Sequence, residues 1–237
     1  MRPFQLALFF ALLVLAKESS AEENKQFSAM RRKMIKSQIA SRGIQDPGVL
    51  EALGKVLRHE FVLPPEKLLA YEDSPLPIGH GQTISQPYIV ALMTELLQPQ
   101  PEDRVYEVGT GSGYQAAVLA ELVKEVYTVE IVEPLYREAK ERLARLRYQN
   151  VHVRLGDGTK GWPEKSPFDK MIVTAAGIKI PVALIVQLKE GGRIVMPVGQ
   201  PSEQILVVGI KENNILKTFE SIPVRFVPLV GDPPTNP

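Results

Sequence analysis

From Arg104 to Val198, short apolar runs alternate with helical stretches, and this alternation constrains the chain more than any other feature. The runs are 104–108 (RVYEV), 125–131 (EVYTVEI), 151–155 (VHVRL), 170–175 (KMIVTA) and 193–198 (RIVMPV), with helical patterns at 114–123, 133–148 and 181–188. Strands that take turns with helices pair in parallel, because the crossover helix returns the chain to the same end of the sheet. The expected fold is therefore α/β, a doubly wound and mostly parallel sheet with helices on both faces. Near the end the pattern changes: 205–210 and 215–219 flank Lys-Glu-Asn-Asn and read as an antiparallel hairpin, followed by a last strand over 222–229. Ahead of the alternation, 26–42 and 47–58 read as amphipathic helices, broken by Gly43 and restarted by the cap Asp46 with Pro47 behind it. The segment 74–87, SPLPIGHGQTISQP, reads as a long irregular loop, and loops of that length tend to carry function. Pro87 then opens a helix to Leu97.

Composition bounds the chemistry. The 237 residues, 44% of them hydrophobic, suffice for one domain with a sizeable core. Net charge is +1 from 28 basic and 27 acidic residues, with no like-charge block, which disfavours nucleic acid or an anionic membrane as partner. The absence of cysteine excludes disulfides, thiolate zinc sites and thiol nucleophiles, and His59, His80 and His152 show no metal-ligand spacing, so no metal is expected.

The N-terminus reads as a targeting segment. Arg2 precedes the apolar stretch 4–16, and Ser19-Ser20-Ala21 places small residues where a signal peptidase reads. The apolar stretch is shorter than the about 20 residues of a membrane span. Residues 1–21 are thus expected to be a cleaved signal peptide, 22–231 one domain and 232–237 a disordered tail, with the mature protein periplasmic and not stably held by a membrane. Met30-Arg-Arg-Lys offers an alternative start, which would leave the protein cytoplasmic.

Between the first strand and its helix lies Glu107-Val-Gly-Thr-Gly-Ser-Gly-Tyr-Gln115. Gly109, Gly111 and Gly113 form GxGxG, whereas the dinucleotide fingerprint is GxGxxG, and Tyr114 stands where its third glycine belongs. Such a turn brings backbone N–H groups close to a ligand. The turn alone leaves a dinucleotide and S-adenosylmethionine equally open. Glu107 suits the cationic S-adenosylmethionine. Glu130, ending the second strand, is placed to accept ribose hydroxyls, and Asp157-Gly158 after the third strand to meet the adenine amino group. These acids at successive strand ends favour S-adenosylmethionine, although Asp157-Gly158 by itself is an ordinary turn dipeptide.

The segments PLPIGHGQTISQPYIVALMTELL (75–97), VYEVGTGSGYQAAVLAEL (105–122), GDGTKGW (156–162), PFDKMIVTAA (167–176), QLKEGGRIVMPVG (187–199) and VRFVPLV (224–230) resemble, in order, those of the protein-L-isoaspartate O-methyltransferases. The resemblance covers 26–231. It implies a class I, Rossmann-like methyltransferase fold with N-terminal helices, and S-adenosyl-L-methionine as cofactor. The implied reaction is methylation of the α-carboxylate of L-isoaspartyl residues in proteins and peptides, which opens repair through a succinimide. By position, Ser85 matches the family's active-site serine. Gln82, Thr83, Ile84, Val90, Glu107, Gly109, Gly111, Gly113, Glu130, Asp157 and Gly158 match its cofactor contacts, and a monomer is expected. Val230 stands where some members have Thr, which would remove a hydroxyl near the cofactor. Read from its surroundings alone, Ser85 is a helix cap ahead of Pro87.

Rival readings are a nucleic-acid amine methyltransferase, a nicotinamide-dependent oxidoreductase and a cofactor-binding protein without turnover. The first usually carries Asn or Asp, Pro-Pro and an aromatic after the fourth strand, where this chain has Thr174-Ala-Ala-Gly177. Tyr114 and the lack of an evident proton-transfer pair weigh against the second.

Overall fold

A computed structural model describes residues 23–231 of the chain. The expected signal peptide and C-terminal tail lie outside the described residues. The first helix, α1, occupies residues 23–34 and runs on through a π-turn Ile35–Ile39 and a 3-10 turn Ala40–Arg42. It stops at Gly43, whose φ of 99° is left-handed, the conformation that glycine adopts without steric cost. Helix α2 (Pro47–Lys55) starts as its sequence dictates: the Asp46 carboxylate accepts from Val49 N at 2.9 Å and Pro47 sits in the first turn.

The segment expected as an irregular loop is instead a short antiparallel hairpin, β1 (Leu76–Gly79) and β2 (Gln82–Ile84), turned at His80-Gly81, both at positive φ. Alternation of Leu76 and Ile78 toward the core gives it an apolar side, and Pro77, which lacks an N–H, masks the strand pattern. Helix α3 (Pro87–Leu97) follows.

The alternating region then gives β3 (Arg104–Val108), α4 (Tyr114–Ala120), β4 (Glu125–Glu130), α5 (Glu133–Arg145), β5 (Val151–Leu155), β6 (Phe168–Val173), α6 (Val182–Gln187) and β7 (Leu188–Gln200). The hairpin partners are longer than expected, β8 (Glu203–Glu212) and β9 (Ile215–Val224). The strand expected over 222–229 does not form. Residues 222–224 close β9, and 225–231 form an extended strap tied to the sheet by a bridge between Ala176 and Pro228. Strand order is β5-β4-β3-β6-β7-β8-β9, parallel from β5 to β7 and antiparallel thereafter.

Period-2 alternation divides each central strand between two cores. Val105, Val126, Ile172 and Val195 face α3 and α4, where Met93, Leu97, Ala116 and Leu119 cover them. Tyr106, Val108, Tyr127, Met171 and Ile194 face the other way, onto Leu184 of α6. Helices α1 and α2 pack with α4 and α5 around Phe61, Tyr71 and Tyr114.

Candidate active site

The sheet order places the site. From β3 the chain winds outward to β4 and β5, then returns to lay β6 on the other side of β3. Neighbouring connections therefore leave β3 and β6 in opposite directions, and a crevice opens at their carboxyl ends, where ligands of open α/β sheets bind.

Three glycines shape that crevice. Gly109, Gly111 and Gly113 have φ of 92°, 53° and 87°, which bends the chain sharply out of β3 and into α4. At Gly109 the space is also closed, since a Cβ would lie 2.5 Å from Thr174 Oγ1. The Thr174 hydroxyl donates to the carbonyls of Val108 (3.0 Å) and Gly109 (2.8 Å), pinning the turn to the end of β6. The resulting cavity holds about 920 Å³, its mouth included.

The structure brings Gln82, Thr83 and Ile84 of the hairpin, Ser85 just after it, Val90 of α3, Gly109 and Gly111 of the turn, Glu130 and Gly158 to the wall of this one cavity. Glu130 is fixed from both sides: Oε2 accepts from Gly111 N (2.7 Å) and Oε1 from Val132 N (2.9 Å). Each oxygen keeps a lone pair for a hydroxyl donor, as a ribose diol requires.

Other expected residues stand behind the wall. Gly113 is the left-handed residue that begins α4. The Asp157 carboxylate caps the turn Gly158–Lys160, accepting from Thr159 N (2.8 Å) and Thr159 Oγ1 (2.6 Å), so the turn-dipeptide role holds and Gly158 alone reaches the cavity. Glu107 is wholly buried on the α3–α4 face of β3, and neither carboxylate oxygen has a partner. Burial pushes its pKa up to about 8. The Thr128 hydroxyl is near enough to draw the value down but pairs with Thr110 Oγ1 at 2.7 Å, and the neighbouring Glu130 adds a further upward push. A buried carboxyl without a partner needs a proton or a cation. Set directly behind a glycine cradle, it fits a cationic ligand better than a pyrophosphate.

Ser85 does not cap α3. The cap position is Gln86, whose side chain makes no capping bond and donates instead to Asp73 Oδ2 (3.3 Å), and the Ser85 hydroxyl has no hydrogen bond among the described residues. What holds Ser85 is its carbonyl, which accepts from Nη2 of Arg58 at 2.7 Å. Arg58 is fully buried, donates also to Ala70 O (2.7 Å) and lies 4.6 Å from the Tyr114 ring centroid. In the sequence Arg58 is the last residue of the helix expected over 47–58; the helix ends at Lys55 and Arg58 opens a 3-10 turn, Arg58–Glu60, a role its sequence setting does not announce.

Two further contributors complete the wall, one of them carrying Val230, which the resemblance places near the cofactor. Thr174 and Ala175 line the cavity from the end of β6, and the strap covers it with Val227, Pro228, Leu229 and Val230. The strap is held by Gln204, whose amide donates to Phe226 O (3.2 Å) and accepts from Phe226 N (2.6 Å), and by the exchange between Ala176 and residues 227 and 229, both 2.8 Å. Among the described residues no group of histidine and acidic side chains is arranged to hold a metal ion.

A second groove meets the first cavity at Thr83, Ser85, Thr174 and Val227, which belong to the walls of both. His80 lines neither. Its Nε2 points to Glu138 Oε1 of α5, 3.9 Å away.

Comparison with known proteins agrees with this geometry. The family model for Protein-L-isoaspartate(D-aspartate) O-methyltransferase matches residues 29–233. Protein-L-isoaspartate O-methyltransferase 1 of Nitrosospira multiformis is 52% identical over 210 residues, 87% of this chain and 89% of that protein. The Opitutus terrae protein-L-isoaspartate O-methyltransferase is 48% identical over 231 residues, 97% and 99% of the two chains. Among solved structures, a protein-L-isoaspartate O-methyltransferase superposes with a TM-score of 0.77 at 30% identity, covering 85% of this chain and 66% of that one. A putative Plasmodium falciparum member, solved with S-adenosyl-L-homocysteine, gives 0.73 at 25% identity, covering 86% and 98%. The chain belongs to the protein-L-isoaspartate(D-aspartate) O-methyltransferase family.

Proposed function

We propose that the protein methylates the α-carboxylate of L-isoaspartyl residues in damaged proteins and peptides, using S-adenosyl-L-methionine, and so opens their repair through a succinimide. The observation that carries this reading is the shared wall of the two cavities, with the Ser85 hydroxyl on it and, among the described residues, no histidine or carboxylate lining the second groove. Bound in the first cavity, the cofactor supplies an electrophilic methyl group on a sulfonium. Glu130 and the N–H groups of the glycine turn would hold its ribose side, Gly158 its adenine side with Asp157 fixing that turn from behind, and Glu107 would balance its charge, with Gln82, Thr83, Ile84 and Val90 enclosing it.

An amine or hydroxyl acceptor needs a base to remove its proton. The titratable side chains lining the cavities are Glu130, Tyr114, Tyr88, Arg42 and Arg225. Glu130 is committed to backbone N–H groups, and burial pushes the Tyr114 phenol up to about 12. The groove's own lining has neither a histidine nor a carboxylate. A peptide α-carboxyl, with a pKa of about 3.3–3.7, is already ionised and needs only to be desolvated and aimed. Ser85 donates to one of its oxygens and leaves the other to attack.

Incubation with labelled S-adenosylmethionine and matched isoaspartyl and aspartyl peptides tests this. Base-labile label on the isoaspartyl peptide alone is expected, and cofactor binding without such transfer would overturn the reading.

We also infer that residues 1–21 direct export and that the mature protein is a periplasmic monomer. Arg2, the apolar stretch 4–16 and the small residues before Glu22 support it, and among the described residues no helix is long and apolar enough to cross a membrane. Native material should begin at Glu22. Sequencing that finds Met1 or Met30 would reject export.

A further inference from the structure

The groove that receives the peptide in this reading extends beyond Ser85, bounded by Arg42, Gln86 and Tyr88 from one half of the chain and by Ile222–Val227 from the other. Its lining contains two guanidinium groups and no carboxylate. They are not equivalent. Arg42 is engaged: Nη1 lies 2.5 Å from Asp73 Oδ2 and the guanidinium stacks 3.5 Å above the Tyr88 ring. Asp73 in turn accepts from Tyr88 N at 2.9 Å, so the cation is neutralised and locked in place. Arg225 is exposed, and among the described residues its side chain has no hydrogen bond, ion pair or ring contact.

An arginine that the fold does not use, facing a groove free of acids, presents five donors in a fork shaped for a carboxylate. Arg225 lines the second groove but not the wall common to both cavities, which makes a neighbouring group of the peptide its target. The reacting carboxylate must sit at that common wall, and Arg225 stands two residues beyond Val227, the strap's part of it. Two residues of chain span at most about 7 Å. The same length separates a residue of an extended peptide from the next side chain on its face.

We propose that Arg225 is a specificity residue, which binds an acidic side chain one or two residues from the isoaspartyl residue and so directs the enzyme to damage in acidic sequence. The inference rests on the isoaspartyl reading of the site. The contact is exposed, and an exposed ion pair contributes a factor of about 2 to 5 in binding. Arg225 touches no atom that changes bonding, so the effect belongs in KM.

The test uses the full-length enzyme and isoaspartyl peptides that differ only in Glu, Gln or Lys two residues from the isoaspartate. In the native enzyme KM should rise from Glu to Gln to Lys, by about 2- to 5-fold at each step, with kcat constant and the spread shrinking at high salt. Arg225→Gln should erase the order and Arg225→Glu should reverse it. Peptide binding in the presence of S-adenosylhomocysteine, measured by calorimetry, should follow the same order. An unchanged order in Arg225→Gln overturns the proposal, as does an equal loss on all peptides, which would place Arg225 on the reacting carboxylate. Methylation of none of the peptides would reject the isoaspartyl reading itself, a different result from methylation of all three alike.

Discussion

At the scale of single residues, Ser85 and Glu107 carry opposite kinds of prediction. In the proposed reaction Ser85 contributes one charge-assisted hydrogen bond to the bound carboxylate, worth about 1.5–3 kcal/mol. Ser85→Ala should therefore lower turnover by about 10- to 150-fold on a protein whose melting temperature is unchanged, because the hydroxyl bonds to nothing among the described residues. His80→Ala should leave turnover and its pH profile intact, since His80 faces Glu138. Full activity in the first variant and none in the second would require a base. Glu107 acts through stability. Burial keeps its folded-state pKa at about 8 against 4.5 in a solvated chain. Between those values the unfolded chain binds fewer protons than the folded one, so this group's stabilisation is complete below pH 4.5 and is lost as pH rises through 8. Glu107→Gln, which mimics the protonated form, should gain melting temperature relative to the native protein between pH 5 and pH 8. A difference that stays flat with pH would show that Glu107 is already ionised. The sequence exposes Glu107 as an acid at a strand end. Its isolation is not legible there, because it depends on Thr128 pairing with Thr110.

At the scale of elements, β3 with its glycine turn and α4 is readable in the sequence because every signal for it is local: an apolar run, left-handed glycines and a helix-forming stretch. The β1–β2 hairpin is not, since Pro77 breaks the strand pattern and the pairing is only a few residues long. The strap mimics a strand for a different reason. Val224–Val230 has strand composition, but its partners, Gln204 and Ala176, come from elements distant in sequence. That dependence is testable. Gln204→Ala removes both partners of the half-buried Phe226 N–H and C=O, at a cost of about 1 kcal/mol. The strap should then be cut more readily by protease between 225 and 231, and KM for the cofactor should rise while the central sheet keeps its hydrogen-exchange protection. Equal susceptibility of native and variant protein would mean that the bridge at Ala176 suffices.

At the scale of the whole molecule, Arg58 joins parts that the chain separates widely. It fastens Ala70, the Ser85 segment and Tyr114 of α4 through two bonds of 2.7 Å and a ring contact. Charge-assisted bonds of this kind contribute about 1.5–3 kcal/mol each, so Arg58→Ala should lower the urea midpoint strongly. Arg58→Lys, which keeps the charge but not the fork, should fall between. Equal stability of Lys and Arg at this position would show that charge alone suffices. A last consequence comes from two cavities that share one wall. In the proposed reaction each ligand has its own space, and Ser85, on the wall common to both, acts as a donor and not as an acceptor of the methyl group. Cofactor and peptide must then be present together at the moment of transfer, with no methylated enzyme on the path. Initial rates measured against one ligand at several fixed levels of the other should plot as crossing lines, and parallel lines would mean that the methyl group rests on the protein first.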